Sequence, residues 1–375
     1  MIGPMQIRDF QLERYFGKYE FSVRHQLSPS DCESCSISEL LELAGQSQES
    51  LLSLRMGYTE TQGDPKLRGA IAEHYDNCSP DDVVITNAPQ EAIFLTMQAV
   101  LKPGDKVVVQ TPCYQSLLEV ARSMGCEISQ WAAHETPGGW RFDLDELAKQ
   151  LHGAKLLVLN APHNPTGYQP SELERKQIAE MAQEAGARVF SDEMYRGLEN
   201  DPSDALLPEA ARNDRAISLW GGSKSFGLPG LRIGWLVSRD RAVINELIRL
   251  KDYTTMCSSA PGELLMRAGL KASRTLLARN RALIAENERR VSAFATARPD
   301  YYTWRPPIAG PVGLLEVRNE RASELSDRLR READILVVPS TLFDMPDKHL
   351  RIGLGRAGIA AAIDHWEAWE TRKPQ

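Results

Sequence analysis

Between residues 79 and 238 the chain alternates short apolar runs with stretches of helical spacing, and few folds accommodate that alternation. The runs are "DVVIT" (82–86), "KVVVQTP" (106–112), "EISQWA" (127–132), "KLLVLNAP" (155–162), "RVFSDEMY" (188–195), "AISLWGG" (216–222) and "RIGWLVS" (232–238). Continuous Val, Ile and Leu bounded by turn residues suits strands buried on both faces. The pieces between them, such as "QEAIFLTMQAVL" and "SELERKQIAEMAQEAG", carry good helix formers with apolar residues three and four apart. "KPGD" (102–105) and the glycine of "EAGAR" (184–188) mark turns into strands. Strands alternating with helices give an α/β fold, a mostly parallel sheet flanked by helices.

After Arg239 the pattern changes to long helical stretches over 240–256 and 260–297. Strand candidates "VGLLEV" (312–317), "DILVVPS" (334–340) and "HLRIGLG" (349–355) follow, with helices between and after them. This predicts a large domain over 45–275 and a small α+β domain built from 1–44 and 276–375, with no strand expected in 1–44. At 375 residues the chain needs no disulfide or metal staple. The six cysteines follow no framework spacing, and "CESC" (32–35) is a single C-x-x-C with no second pair, more consistent with packing than with redox or zinc chemistry. Acidic and basic residues are interspersed at a net charge of −7, which argues against a nucleic-acid-binding stripe. No signal-peptide core or bilayer-length apolar segment stands out, so a cytoplasmic protein with no membrane partner is expected.

In open α/β sheets ligands bind outside the carboxyl ends of the strands, so polar residues that end strands are the candidates. Those ends bring Lys224, Asp192, Asn164, Tyr195, Tyr114 and Arg232. No His/Cys/Asp cluster has metal spacing, and there is neither a G-x-G-x-x-G nor a P-loop. A lysine, a carboxylate and a phosphate-competent arginine without a metal suit pyridoxal 5'-phosphate, which needs an amine for its aldehyde, an acid at its ring nitrogen and a nest for its phosphate.

"NPTG" (164–167), "SDEMY" (191–195) and "SKSFGLPGLRIGW" (223–235), in this order and spacing, resemble the class I/II aminotransferases of pyridoxal-phosphate fold type I. The likeness runs from Tyr58 to Arg351. "GLPGLR" and "HNPTG" also resemble capreomycidine synthase, a family member that cyclises its substrate. The resemblance implies a Schiff base on Lys224, which then acts as acid/base, and Asp192 at the pyridinium nitrogen. It implies Asn164 and Tyr195 on the cofactor's phenolic oxygen, Tyr114 stacked on its ring, and Arg232 on its phosphate. Arg351, with Asn164, is implied as the clamp on the substrate carboxylate. Tyr58 is implied to reach the phosphate of a neighbouring subunit, making the working unit a homodimer with a shared site.

Two departures from the family fall at the phosphate. Gly221 stands where relatives keep a hydroxyl residue, leaving Ser223 as a candidate, and the turn before the first long helix is "TNAPQEA" (86–92). Pro89 has no N–H to donate, so Ala88, Gln90 and Glu91 are the candidate amide donors there, aided by the helix dipole. Gly221 and Gly222 are expected to clear space for the cofactor. In the N-terminal segment Arg24, His25, Ser28 and Asp31 are candidates for the mouth of the site. No second arginine suggests a dicarboxylate substrate. The hydroxyl-rich "KDYTTMCSSAP" (251–261) has no role readable from sequence. The expected activity is amino transfer between an amino acid and a 2-oxo acid. Elimination or cyclisation of a basic amino acid is the alternative, and a non-catalytic binding protein the alternative of another class.

Overall fold

The structure is a computed structural model and describes residues 6–372. Eight strands form the large sheet: β1 (Val83–Asn87), β2 (Lys106–Thr111), β3 (Glu127–Thr136), β4 (Gly139–Phe142), β5 (Ala154–Asn160), β6 (Arg188–Asp192), β7 (Ile217–Gly221) and β8 (Ile233–Val237). Their order is β1-β8-β7-β6-β5-β2-β3-β4. The neighbours from β7 through β3 pair in parallel, whereas β8 runs antiparallel to both β1 and β7, and β4 is an antiparallel edge. Consecutive side chains within β2 separate to opposite faces. Val107 and Val109 pack with Val84, Leu156, Val158, Phe190 and Leu219, while Val108 packs with Trp131, Leu157, Leu159 and Val189. Both faces are covered, which is why these strands read as unbroken apolar runs. Each fully buried Val or Leu contributes ~1.5–3 kcal/mol.

The helix Pro89–Val100 begins at Ala88 with proline in its first position, where no N–H is needed. Glu172–Glu184 starts on a capping box: the Ser171 hydroxyl accepts from Glu174 N, and the Glu174 carboxylate accepts from Ser171 N.

A second, antiparallel sheet holds β9 (Tyr302–Arg305), β10 (Val312–Val317), β11 (Val338–Pro339) and β12 (His349–Gly353) in the order β9-β10-β12-β11. Its core joins Leu315, Leu350 and Ile352 to Val291 and Phe294 of Ser273–Thr296 and to Ile363 and Trp366 of Ile359–Thr371, and Tyr195 belongs to the same cluster. Tyr195 therefore ties the strand ends of the large sheet to the second sheet.

Several elements differ from the sequence expectation. His25–Gln26 is a short strand after all, paired in parallel with Ile335–Leu336. That ladder takes its partner from the far end of the chain, which no local pattern reveals. β4 and β9 are four-residue segments, too short for a periodic signal, and pairing with β4 carries β3 on to Thr136. The stretch 260–297 is two helices, Ala260–Lys271 and Ser273–Thr296, meeting at Ala272 without a glycine or proline to mark the break. No helix among the described residues is long and apolar enough to cross a membrane.

Candidate active site

The site lies at the carboxyl ends of β5, β6 and β7. The Asp192 carbonyl accepts from Ala161 N and Asn160 Nδ2, both at 3.0 Å, and Asn160 Oδ1 accepts from Asn164 N at 2.7 Å. These bonds fix the "NPTG" turn to the end of β6. Gly167 closes it at φ +69°, and a Cβ there would lie 2.2 Å from Pro307 Cβ, so only glycine fits.

Asp192 is buried, and its carboxylate accepts one hydrogen bond, from Met194 N at 3.1 Å. Burial pushes its carboxyl up to about 7; the Met194 bond opposes this, the Glu193 charge adds to it and Lys224 lowers it. Lys224 Nζ donates to Ser30 Oγ at 2.9 Å. Shielding from water pushes this amine below the usual lysine range, against the pull of Asp31. Tyr195 is buried, and burial holds its phenol above the usual range while Arg351 and a hydrogen bond with Ser30 oppose that.

Arg351, from the middle of β12, is fully buried. One terminal nitrogen donates to Asn164 Oδ1 at 3.1 Å and the other to the Ser28 carbonyl at 2.8 Å, while Nε has no partner among the described residues. The guanidinium lies 5.2 Å from the centre of the Phe343 ring. No carboxylate among the described residues pairs with it, and burying an unpaired cation is costly unless an anion arrives to match it. An amino-acid carboxylate is such an anion.

The remaining candidates fall around this centre. Tyr114 is half-buried; its hydroxyl donates to Glu13 Oε1 at 2.8 Å and its ring packs on Phe10. Ser223 is buried beside Lys224, and its hydroxyl has no hydrogen-bond partner among the described residues. Arg232 is exposed and left-handed at φ +53°, its guanidinium donating to the Pro229 carbonyl at 3.1 Å and to no other group among the described residues. Ala88 occupies φ +78° and ψ 156°, a region nearly reserved for glycine. Its N–H is spent on the Thr86 carbonyl at 3.0 Å, which leaves the amides of Gln90 and Glu91 for a phosphate. The Gln90 side chain accepts from the Ser116 hydroxyl. Tyr58 is 88% exposed and lines a separate groove with Arg55, Glu263 and Arg267, so this chain alone does not bring it to the other candidates.

The two glycines before Lys224 are corrected by the structure. A Cβ at Gly221 would meet the Ile233 carbonyl and Pro89 Cγ, both at 3.0 Å, and one at Gly222 would lie 2.6 Å from Met266 Sδ. The space they leave is filled by protein rather than kept for a ligand, and Gly221 and Pro89 are two halves of one packing solution. Of the N-terminal candidates, Ser28 reaches Arg351 through its carbonyl, and Asp31 pairs with Arg356 at 2.7 Å. Arg24 is exposed and His25 stacks on His365, 4.5 Å between ring centres. Ser30 and Glu13 were missed. Ser30 lay inside "SPSD", and Glu13 reads as the polar face of an ordinary amphipathic helix. The hydroxyls of Thr254 and Thr255 both donate to Glu91 Oε1, so the hydroxyl-rich segment braces the start of Pro89–Val100.

A profile of aminotransferase class I and II matches residues 37–364. The chain belongs to that family. It is similar to a capreomycidine synthase from Streptomyces vinaceus, 29% identical over 357 residues covering 94% of this chain and 90% of that protein. Among solved structures it is similar to a PLP-dependent aminotransferase from Streptococcus suis 89-1591, with a TM-score of 0.92 and 24% identity over 99% of this chain and 100% of that one. It is also similar to the PLP-dependent cyclase OrfR, with a TM-score of 0.91 and 26% identity over the same shares. The fold is that of the pyridoxal-phosphate enzymes of fold type I, and pyridoxal 5'-phosphate is the cofactor. The residues fit it: a shielded amine on Lys224, a carboxyl on Asp192 that pairs with no cation among the described residues, and amides of Gln90 and Glu91 at a helix N-terminus.

Proposed function

We propose that this chain is an aminotransferase that moves an amino group between an α-amino acid and a 2-oxo acid. The observation that carries the reading is the buried Arg351, unpaired by any carboxylate among the described residues and tied through Asn164 to the strand ends that hold Asp192 and Lys224. Arg351 binds the substrate carboxylate and orients the molecule. The bound cofactor supplies an aldehyde for the amine and a ring that takes up electrons. Asp192 would hold the proton on the ring nitrogen, and Asn164 and Tyr195 would hydrogen-bond the cofactor's phenolic oxygen. Tyr114 would stack on the ring face, while Gln90, Glu91, Ser223 and Arg232 would hold the phosphate. Lys224, with its amine below the usual lysine range, accepts and returns the proton at the substrate α-carbon.

Elimination or cyclisation of an amino acid with a cationic side chain is the second reading. Glu13 and Asp31 act electrostatically on Lys224, as do Arg351 and Arg356, and Asp31 is paired with Arg356, so the charges around the amine are mixed in sign. The likeness to capreomycidine synthase and to the OrfR cyclase supports this reading. The working unit is proposed to be a homodimer, supported by the exposure of Tyr58 together with Leu52, Met56 and Tyr253.

The test mixes the purified yellow protein with a panel of amino acids, basic ones included, and follows cofactor absorbance. A transaminase converts the cofactor to its amine form with donor alone. A cyclase or lyase consumes the substrate and returns to the starting spectrum. Lys224→Ala is expected to lack both the starting visible band and turnover, and a variant that still turned over amino acids would overturn the assignment.

A further inference from the structure

The segment Leu27–Glu33 crosses the site in a path fixed from both sides. Gly353 N donates to the Leu27 carbonyl at 2.7 Å, Glu33 N to the Gly355 carbonyl at 2.7 Å, and Cys32 N to the Lys224 carbonyl at 3.3 Å. Three glycines make the approach possible. A Cβ at Gly353 would lie 1.9 Å from the Pro29 carbonyl oxygen, one at Gly355 would lie 2.3 Å from that of Asp31, and one at Gly227 would lie 2.3 Å from that of Glu33. Asp31 is held again by two bonds from Arg356, at 2.7 and 3.1 Å. Ser30, between Pro29 and Asp31, is therefore presented by backbone that cannot drift. Its hydroxyl is the acceptor for Lys224 Nζ at 2.9 Å and lies near enough to the Tyr195 phenol to oppose the rise that burial gives it.

We propose that Ser30 is a further catalytic residue: its hydroxyl holds the Lys224 amine in place for the proton transfer at the substrate α-carbon. The inference rests on the reading of Lys224 given above. In the step concerned the Cα–H bond breaks, an N–H bond forms at Nζ, and the electron pair stays with the substrate carbon, drawn toward the electron sink. Lys224 becomes an ammonium and later returns the proton, so no further reactant is consumed. An ammonium has three donors and no acceptor, so a fixed hydroxyl oxygen stabilises the protonated amine and restricts its rotation. The charged groups that act on Lys224 are Asp31, Arg351, Glu13 and Arg356, with Asp192 and the phenol of Tyr195 also in the site.

The test compares the wild-type protein with its Ser30→Ala and Ser30→Thr variants. Two readouts are used: the pH dependence of the rate at which the apoprotein takes up cofactor, which reads the free Lys224 amine, and exchange of α-protons in D2O followed by NMR over a mixture of the common amino acids. Ser30→Ala removes an acceptor from the charged amine and should move the midpoint of that pH titration down by about one pH unit or more. Exchange should slow about tenfold or more. Ser30→Thr, which keeps the hydroxyl, should restore both. A Ser30→Ala titration that overlays the wild type, or a threonine variant as impaired as the alanine one, overturns the role of Ser30 while leaving Lys224 as assigned. A wild-type protein with cofactor bound but no visible band that Lys224→Ala removes overturns the reading of Lys224 and this inference with it.

Discussion

Asp192→Asn separates what the site costs the empty protein from what it gives the loaded one. In the apoprotein burial lifts the Asp192 carboxyl from its ordinary value of 3.8 to about 7. Between those values the folded chain keeps a proton that the unfolded chain has lost. The folded state therefore binds more protons, and stability falls as pH rises. The contribution is fully present below about pH 4 and is lost as pH rises through about 7. Each pH unit is worth ~1.4 kcal/mol, so the window of about three units amounts to ~4 kcal/mol, an upper bound because local relaxation and water entry reduce it. Asparagine carries no titrating proton, so the variant should lack this slope. The assay is urea unfolding of wild-type and Asp192→Asn apoproteins over that range, comparing slopes rather than absolute values because the amide has its own unmet donors. The two curves should diverge by at least ~2 kcal/mol across the window. Adding cofactor should suppress the wild-type slope, since a cationic ring nitrogen gives the carboxylate its partner. Parallel curves for the two apoproteins would refute the reasoning.

Gly353→Ala is expected to be severely destabilising, by at least ~3 kcal/mol, because the new Cβ meets backbone that cannot swing aside, the Pro29 carbonyl oxygen. A thermal melt close to wild type would contradict the fixed path of Leu27–Glu33. Gly221→Ser should destabilise by ~1–3 kcal/mol and bring no gain in cofactor affinity, because its Cβ would press on Pro89 Cγ and the Ile233 carbonyl. Measured cofactor dissociation should improve only when Pro89→Ser is added, and tighter binding by the single variant would argue against the coupling.

The large sheet was legible because a strand buried on both faces writes its burial directly into consecutive residues. Seven runs anticipated β1, β2, β3, β5, β6, β7 and β8 to within a residue or two, apart from the extension of β3 and the earlier end of β6 at Asp192. The antiparallel sense of β8 was not legible, since direction depends on where the loop from Lys224 to Leu231 returns the chain. Lys224, Asp192 and Asn164 were named because strand ends in such a sheet face one crevice, and Arg351 because the family resemblance implied it. Ser30 was not, because its position is set by Gly353, Gly355 and Gly227, which are more than three hundred or nearly two hundred residues away.

What the sequence alone determined is the set of chemical groups and the layer that gathers them: a parallel sheet, a lysine, a carboxyl and an arginine suited to one cofactor. Tertiary structure decided which atoms those groups meet. Gly221 is bare because of Pro89 and the Ile233 carbonyl, Arg351 pairs with no carboxylate among the described residues, and the Lys224 amine is answered by a hydroxyl from the N-terminal segment. Local pattern records how each residue meets solvent or core along its own element. Contacts between segments distant in the chain depend on close packing of backbone on backbone, and that leaves only scattered glycines as its trace in the sequence.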